Sequence, residues 1–114
     1  MAEADVVSLH IPGGRATHHF VDAVLLAKAK PGAILVNTAR GSVVDEAALV
    51  AALAEGRIAA AGLDVYENEP TVSAALLASP RTVLLPHLGS ATKGAREAMG
   101  MQAVDNLDAF FFFF

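Results

Sequence analysis

The sequence predicts an α/β fold built on a parallel sheet of about four strands, with helices in the connections. Four short, nearly continuous apolar runs, typical of strands covered on both faces, alternate with stretches of helical periodicity. Each run stops at a polar residue, namely His10, Arg40, Asp64 and His87. Because the carboxyl ends of parallel strands lie along one edge of a sheet, where ligands bind, these side chains are expected to line one crevice.

The first strand is expected over residues 6–9, where Pro12 and two glycines then break the run. Asp22 is expected to cap a helix that continues through Ala29 and ends at the next Pro-Gly pair. The apolar residues expected on the buried side of this helix are Val24, Leu25 and Ala29. The second strand is expected over residues 33–36.

A second helix is expected from an Asp45 cap to Glu55, with Gly56 as a left-handed terminator before a strand at residues 59–63. Its expected buried face consists of Leu49, Ala52 and Leu53.

Residues 66–72 are expected to form a loop, after which Ser73 caps a short helix to Ala78 and a strand follows at residues 82–85. Ser90 or Thr92 then opens a long helix through Ala109. The residues expected on one core-facing side of this helix are Ala95, Met99, Ala103 and Leu107.

The alternation of strands and helices predicts right-handed crossovers in part of a doubly wound, Rossmann-like sheet rather than a closed barrel. The glycine-rich phosphate loop that follows the first strand of a dinucleotide domain is not found. Gly13 and Gly14 do not replace it, because the third glycine and the helix register are lacking. The pattern is therefore that of half a nucleotide-binding domain.

Composition narrows the classes of function. With 54% hydrophobic and 18% charged residues, a packed core is expected, and a net charge of −4 disfavours nucleic acid as a partner. The absence of cysteine excludes disulfides and thiolate chemistry. No apolar stretch reaches the roughly 20 residues of a membrane span, and the start does not resemble a signal peptide, so no membrane partner and a cytoplasmic location are expected.

The chain ends in a run of phenylalanines, residues 110–114, that a helix would not leave in water. A missing docking partner, a truncation and a sequence artefact are alternative explanations. We treat residues 1–110 as the domain and residues 111–114 as a separate tail.

Four motifs occur in order: LHIP, PGAILVNTARGSVVDEAAL, GLDVYENEP and LLPHLGSAT. Together they resemble the second half of the NAD-binding domain of the D-isomer-specific 2-hydroxyacid dehydrogenases, which include glyoxylate/hydroxypyruvate reductases and phosphoglycerate dehydrogenases. The resemblance implies hydride transfer between NAD or NADP and a small 2-oxo or 2-hydroxy acid. It also implies a homodimer for the full-length protein.

The resemblance gives Arg40 the task of holding the carboxylate and carbonyl oxygen of a 2-oxo acid, which suits a planar guanidinium. Without the motif, a surface arginine paired with Asp45 or Glu46 is the favoured interpretation. Gly41, directly after it, suits close backbone approach to a ligand.

The resemblance makes His87 the general acid in reduction and Glu69 the carboxylate that stabilises its protonated form. A structural histidine and an exposed loop charge are the alternatives, and Glu67 is the competing acid.

Asp64 resembles the aspartate that binds the nicotinamide carboxamide, with helix capping as the alternative. The residues with an implied cofactor contact are His10, Ile11, Pro12, Thr38, Ala39, Arg40, Asp64, His87 and Gly89. Thr17 matches a family threonine, whereas Gly14 departs from the pattern, which puts a pyrophosphate contact there in doubt.

No metal site is expected. His18 and His19 are adjacent, so they do not share a helix face, and no third ligand is expected nearby. Two other hypotheses remain: a non-catalytic fragment or degenerate cofactor-binding module, and an oligomerisation element that uses exposed apolar faces.

Overall fold

The computed structural model describes residues 1–112, and its four strands form one parallel sheet in the order β1-β2-β3-β4. The strands are β1 (Val6–Leu9), β2 (Ala33–Asn37), β3 (Ile58–Leu63) and β4 (Thr82–Leu84). Strands that are neighbours in sequence are neighbours in the sheet, so each connection crosses over to the next position. The predicted α/β class and parallel sheet are confirmed.

The connections contain α1 (Ala23–Ala27), α2 (Glu46–Ala54) and α3 (Ala74–Ala78), and α4 (Lys93–Phe112) follows the last strand. A 3-10 turn, Gly41–Val43, lies between β2 and α2.

The aspartate caps were predicted correctly. Asp22 accepts the backbone N–H of Leu25 at 2.8 Å, and Asp45 accepts that of Ala48 at 3.0 Å. Gly56 has the positive φ, 73°, expected of a left-handed terminator. Ser73 is the N-cap residue of a helix that ends at Ala78, as predicted, but its side chain makes no capping hydrogen bond.

Several boundaries differ by one or two residues, and the predicted buried side of α1 is confirmed in part. Ala29 lies in the core and Leu25 packs against it, but Val24 points to solvent and Leu26 is buried in its place. A helix of five residues has little more than one turn, so its apolar periodicity does not determine which side packs. By contrast, all three residues predicted for the buried face of α2 lie in the core.

The core lies on one face of the sheet. Strand register places Leu9, Asn37 and Leu63 in one row, and all three side chains are buried on the face that α1 and α2 cover. Alternate strand residues point to the opposite face, where Val6 and Val83 remain 56% and 68% exposed. The expectation of strands covered on both faces therefore fails within the described residues.

The long helix opens at Thr92, one of the two predicted starts, where the Thr92 hydroxyl accepts the Ala95 N–H at 3.2 Å. Its end and its packing depart from the prediction. It continues past Ala109 to Phe112, and none of its residues is buried. The predicted core-facing side was wrong, because no element of the described chain packs on it; Met99 and Leu107 are exposed.

The predicted tail thus begins inside α4, and Phe113 and Phe114 lie outside the described residues. Among residues 1–112, no helix is long and apolar enough to cross a membrane.

Candidate active site

The loop after β2 is held in place by a buried side chain. Asn37 is 1% exposed; its amide NH2 donates to the Arg40 carbonyl oxygen at 3.0 Å, and its side-chain oxygen accepts the Ala39 N–H at 3.0 Å. This clamp presents Thr38, Ala39 and Arg40 at the carboxyl edge of the sheet. The sequence analysis missed Asn37 as a functional residue, although a polar side chain at the end of an apolar strand was a signal for it.

Arg40 is exposed, and its guanidinium donates to the Ala39 carbonyl oxygen at 2.6 Å. Within the described part of the chain it forms no ion pair, so the alternative pairing with Asp45 or Glu46 is not formed. Its side-chain stem lies against Gly13, where an added Cβ would come within 2.9 Å of the Arg40 Cγ. The guanidinium is thus available to an anion.

Gly41 serves internal packing rather than ligand approach. A Cβ at this position would lie 1.9 Å from the backbone carbon and oxygen of Tyr66 and 2.5 Å from the nitrogen of Glu67. The predicted close backbone approach is therefore real, but its partner is the loop after β3. This contact sets the loop of Tyr66 and Glu67 directly against the loop of Arg40.

A glutamate that follows β3 and a histidine that follows β4 lie close together at the same edge of the sheet. His87 Nδ1 lies 2.8 Å from Glu69 Oε2, and the other oxygen of Glu69 accepts the Tyr66 backbone N–H at 2.9 Å. The hydrogen bond from His87, followed by that from Tyr66, holds the pKa of Glu69 below its ordinary value. Glu69 is thus an ionised acceptor that fixes the ring of His87.

The backbone at His87 is in the left-handed region, with φ of 57°. This conformation is uncommon for residues other than glycine and persists where surrounding contacts enforce it. One such contact comes from Tyr66, whose hydroxyl donates to the Leu85 carbonyl oxygen at 2.7 Å. Burial raises the pKa of the Tyr66 hydroxyl, so it stays protonated as a donor.

The second enforcing contact comes from Asp64, a carboxylate only 4% exposed at the end of β3. Its Oδ1 accepts the Leu88 N–H at 2.6 Å and its Oδ2 accepts the Gly89 N–H at 2.8 Å. The helix-capping alternative does not describe this arrangement, because Leu88 and Gly89 precede the start of α4 at Lys93. Asp64 therefore fastens the segment that follows His87 to the neighbouring strand.

Two connected depressions lie along this edge. A groove of about 740 Å³ brings together the predicted cofactor residues His10, Ile11 and Pro12 with Thr38, Ala39 and Arg40. At Arg40 it meets a pocket of about 520 Å³ that also contains Glu69 and His87. Asp64 and Gly89 line neither depression and lie behind the His87 loop.

Some groove residues are already occupied by internal contacts. The His10 Nε2 lies 2.8 Å from the Ser8 hydroxyl, and the Thr17 hydroxyl donates to the Pro12 carbonyl oxygen at 2.7 Å. Gly14, the position that departs from the family pattern, has φ of 137°, a conformation that residues with a side chain rarely adopt.

The expectation that no third ligand lies near His18 and His19 was wrong. Residues 14–20 form turns rather than a helix, and the two imidazole rings stack with centroids 3.9 Å apart. Donor atoms of His18, His19 and Glu67 all lie within 4.8 Å of one another. Glu67, the competitor of Glu69, pairs with His19 Nε2 at 2.5 Å rather than with His87.

A parallel α/β sheet with polar side chains at its carboxyl edge is the architecture of nucleotide-binding domains. Residues 1–89 match the family described as "D-isomer specific 2-hydroxyacid dehydrogenase, NAD binding domain". The chain belongs to this family, as its motifs predicted.

The relatives are consistent with one another. Glyoxylate/hydroxypyruvate reductase B of Erwinia tasmaniensis is 52% identical over 110 residues, which are 96% of this chain and 34% of that protein. Glyoxylate reductase of Thermococcus litoralis is 49% identical over 110 residues, 96% of this chain and 33% of that protein. The chain thus spans about a third of the length of the curated relatives it matches.

A solved structure agrees in fold. The NADPH-dependent glyoxylate/hydroxypyruvate reductase of Sinorhizobium meliloti, in complex with NADP and malonate, matches with a TM-score of 0.91 and 50% identity. The match covers 94% of this chain and 34% of that one.

Proposed function

We propose that the protein is an oxidoreductase that reduces a small 2-oxo acid, such as glyoxylate or hydroxypyruvate, with NADH or NADPH. The observation that carries the proposal is the shared pocket of Arg40, Glu69 and His87 at the end of a groove at the sheet edge. Reduction of a 2-oxo acid needs a cation that binds the substrate carboxylate. It also needs a proton donor, and a histidine held by a glutamate is suited to that role.

The groove residues fit a dinucleotide. They lie at the carboxyl edge of a parallel sheet, and the Asn37 clamp turns the Thr38–Arg40 backbone toward the groove. His10, Ile11 and Pro12 would flank the adenosine and pyrophosphate side, and Thr38 and Ala39 the nicotinamide side. NADH or NADPH, when bound, supplies the hydride.

The remaining chemistry belongs to this chain. Arg40 binds the substrate carboxylate and carbonyl oxygen with its planar donors. His87 keeps Nδ1 on Glu69 and gives the proton of Nε2 to the oxygen that gains negative charge during reduction. In the reverse direction, the same nitrogen accepts the proton.

Asp64 positions His87, because its carboxylate holds the Leu88 and Gly89 N–H groups of the loop that follows it. The family resemblance also gives Asp64 a contact with the nicotinamide carboxamide. Residues 1–110 would belong to the second half of the NAD(P)-binding domain, and α4 extends this part of the chain to Phe112. By the same resemblance, we propose a cytoplasmic homodimer for the longer protein.

The test is glyoxylate reduction by the protein expressed from its complete gene, followed by loss of NADPH absorbance. His87→Gln is expected to lower kcat by about 10²–10⁴-fold, the contribution of one general acid, while NADPH still binds. His18→Gln, the same change at an exposed histidine, is the matched control. Retention of kcat within a few-fold in His87→Gln would refute the proposed role.

The competing hypothesis is a non-catalytic cofactor-binding module. The open pocket around Arg40 and His87 favours it for the 114-residue chain alone, because solvent competes for every group. That chain is expected to bind NADH weakly, by fluorescence titration, and to turn over little glyoxylate. Robust turnover by the chain alone would exclude the module hypothesis.

A further inference from the structure

The pocket that contains Arg40 also contains an acid that works against anion binding. Glu67 lines it together with Glu69 and His87. The hydrogen-bonded His87–Glu69 pair is neutral overall when the histidine is protonated, so the Arg40 charge would be cancelled by an unpaired Glu67. A pocket built to hold a carboxylate needs that negative charge compensated.

His19 provides the compensation from 48 residues away in sequence. Its Nε2 lies 2.5 Å from Glu67 Oε1, and its Nδ1 lies 4.0 Å from Asp45 Oδ2. Both ring nitrogens therefore face carboxylate oxygens, and an imidazolium is the form of the ring that has a donor on each. The His19 ring also stacks on the ring of His18, with centroids 3.9 Å apart.

The backbone N–H groups of His19 and Glu67 are both hydrogen-bonded, which fixes the positions of the two residues. The His19 N–H donates to the Ser42 carbonyl oxygen at 2.8 Å, and His19 has φ of 52°. The Glu67 N–H donates to Glu46 Oε1 at 2.5 Å. Glu67 and His19 are thus fixed on either side of the Arg40 turn, and their side chains are 24% and 34% exposed.

We propose that His19 is a positioning residue that neutralises Glu67, and so leaves the pocket with the net positive charge that an anionic 2-oxo acid requires. The inference rests on the proposed function. It assigns His19 an effect on substrate affinity, whereas Glu69 acts on the proton donor.

The test measures KM and kcat for glyoxylate at saturating NADPH, in the protein from its complete gene. His19→Gln is expected to raise KM about fivefold, the effect of one uncompensated charge in a partly exposed pocket. The kcat should change by less than about twofold, because the charge acts on ground state and transition state alike.

The decisive variant is the double substitution His19→Gln/Glu67→Gln. Removing the acid removes the need for its partner, so KM should return to within about twofold of the parent value. A pair with only a structural role predicts a double variant as impaired as His19→Gln, and that result would overturn the proposal. Lys93→Gln, which removes a positive charge from exposed α4, is the control and should leave KM unchanged.

Two further measurements cover a His19→Gln variant that does not fold and a bound cation that compensates Glu67. If His19→Gln does not fold, as judged by circular dichroism, Glu67→Gln alone decides: an unchanged or lowered KM supports the proposal, and a raised KM overturns it. If addition of EDTA to the parent raises KM to the His19→Gln value, a cation on His18, His19 and Glu67 provides the compensation, and the proposal is wrong.

The failure of the proposed function is distinguishable from the failure of this inference. A parent protein that does not reduce glyoxylate refutes the function alone. Oxalate affinity, measured by calorimetry on the same variants, then decides the role of His19. Weaker oxalate binding by His19→Gln than by the parent and by the double variant supports neutralisation of Glu67. Equal oxalate affinities in all three overturn it.

Discussion

Substitution of Asp64 by asparagine tests how the loop that carries His87 is held. Asparagine preserves the shape of the side chain, so no cavity opens, but it replaces one acceptor oxygen with a donor that faces a backbone N–H. Asp64 is buried and receives two N–H groups, from Leu88 and Gly89. The substitution therefore removes one hydrogen bond to a charged group and weakens the other.

The magnitude follows from these contacts. Hydrogen bonds to charged groups contribute about 1.5–3 kcal/mol each. Leu88 and Gly89 are exposed, so water replaces part of the loss, and a net decrease of about 2 kcal/mol in the free energy of unfolding is expected. With a urea m-value of about 1.5 kcal/mol/M, the midpoint falls by about 1.3 M.

Urea unfolding at pH 7, followed by circular dichroism, measures this decrease, and hydrogen exchange locates it. The amides of Leu88 and Gly89 should exchange faster in Asp64→Asn. Asp5→Asn is the control, because Asp5 is largely exposed and forms a surface ion pair with Lys30; its effect should stay within about 0.5 kcal/mol. Equal midpoints for Asp64→Asn and the parent, with unchanged exchange at both amides, would refute the reasoning.

Two further predictions concern the contacts beside this loop. Gly41→Ala is expected to lower the free energy of unfolding in urea by more than about 3 kcal/mol, because its Cβ would overlap the Tyr66 backbone. Gly94→Ala on exposed α4 is the control and should raise the free energy of unfolding by about 0.5–1 kcal/mol. Equal effects of the two substitutions would contradict the packing role of Gly41. The pKa of Glu69 is lowered from its ordinary value of 4.5, so its ionised form stabilises the fold above pH 4.5, and that contribution is lost as pH falls through the lower folded pKa. The stability difference between the parent and Glu69→Gln should therefore shrink below pH 4.5, and a difference that stays constant down to pH 3 would contradict the assignment.

The parts of the fold that depend on local chemistry were predictable. The aspartates at positions 22 and 45 cap helices because their side chains reach N–H groups three residues on, and sequence spacing determines such contacts. The strands were found because their apolar runs are short and bounded by turn residues. The grouping of Arg40, Glu69 and His87 followed from family motifs together with the parallel order of the strands.

The remainder depends on contacts between distant segments. Gly41 looked like a ligand-binding glycine because its true partner, Tyr66, lies in another loop. The pairing of His19 with Glu67 was missed for the same reason, since neither residue has a motif that names the other. The exposed face of α4 reads as a core face in sequence, because amphipathic spacing does not say what packs against it.

The left-handed backbone at position 87 has a consequence for mutational tolerance. Asparagine, aspartate, histidine and above all glycine adopt this conformation readily, whereas valine and isoleucine strongly disfavour it. A saturation library at this site would therefore be sorted first by backbone compatibility and only then by chemistry. Asparagine and glycine should accumulate as folded protein while β-branched residues are depleted, so that abundance and activity at position 87 report on separate properties of the same residue.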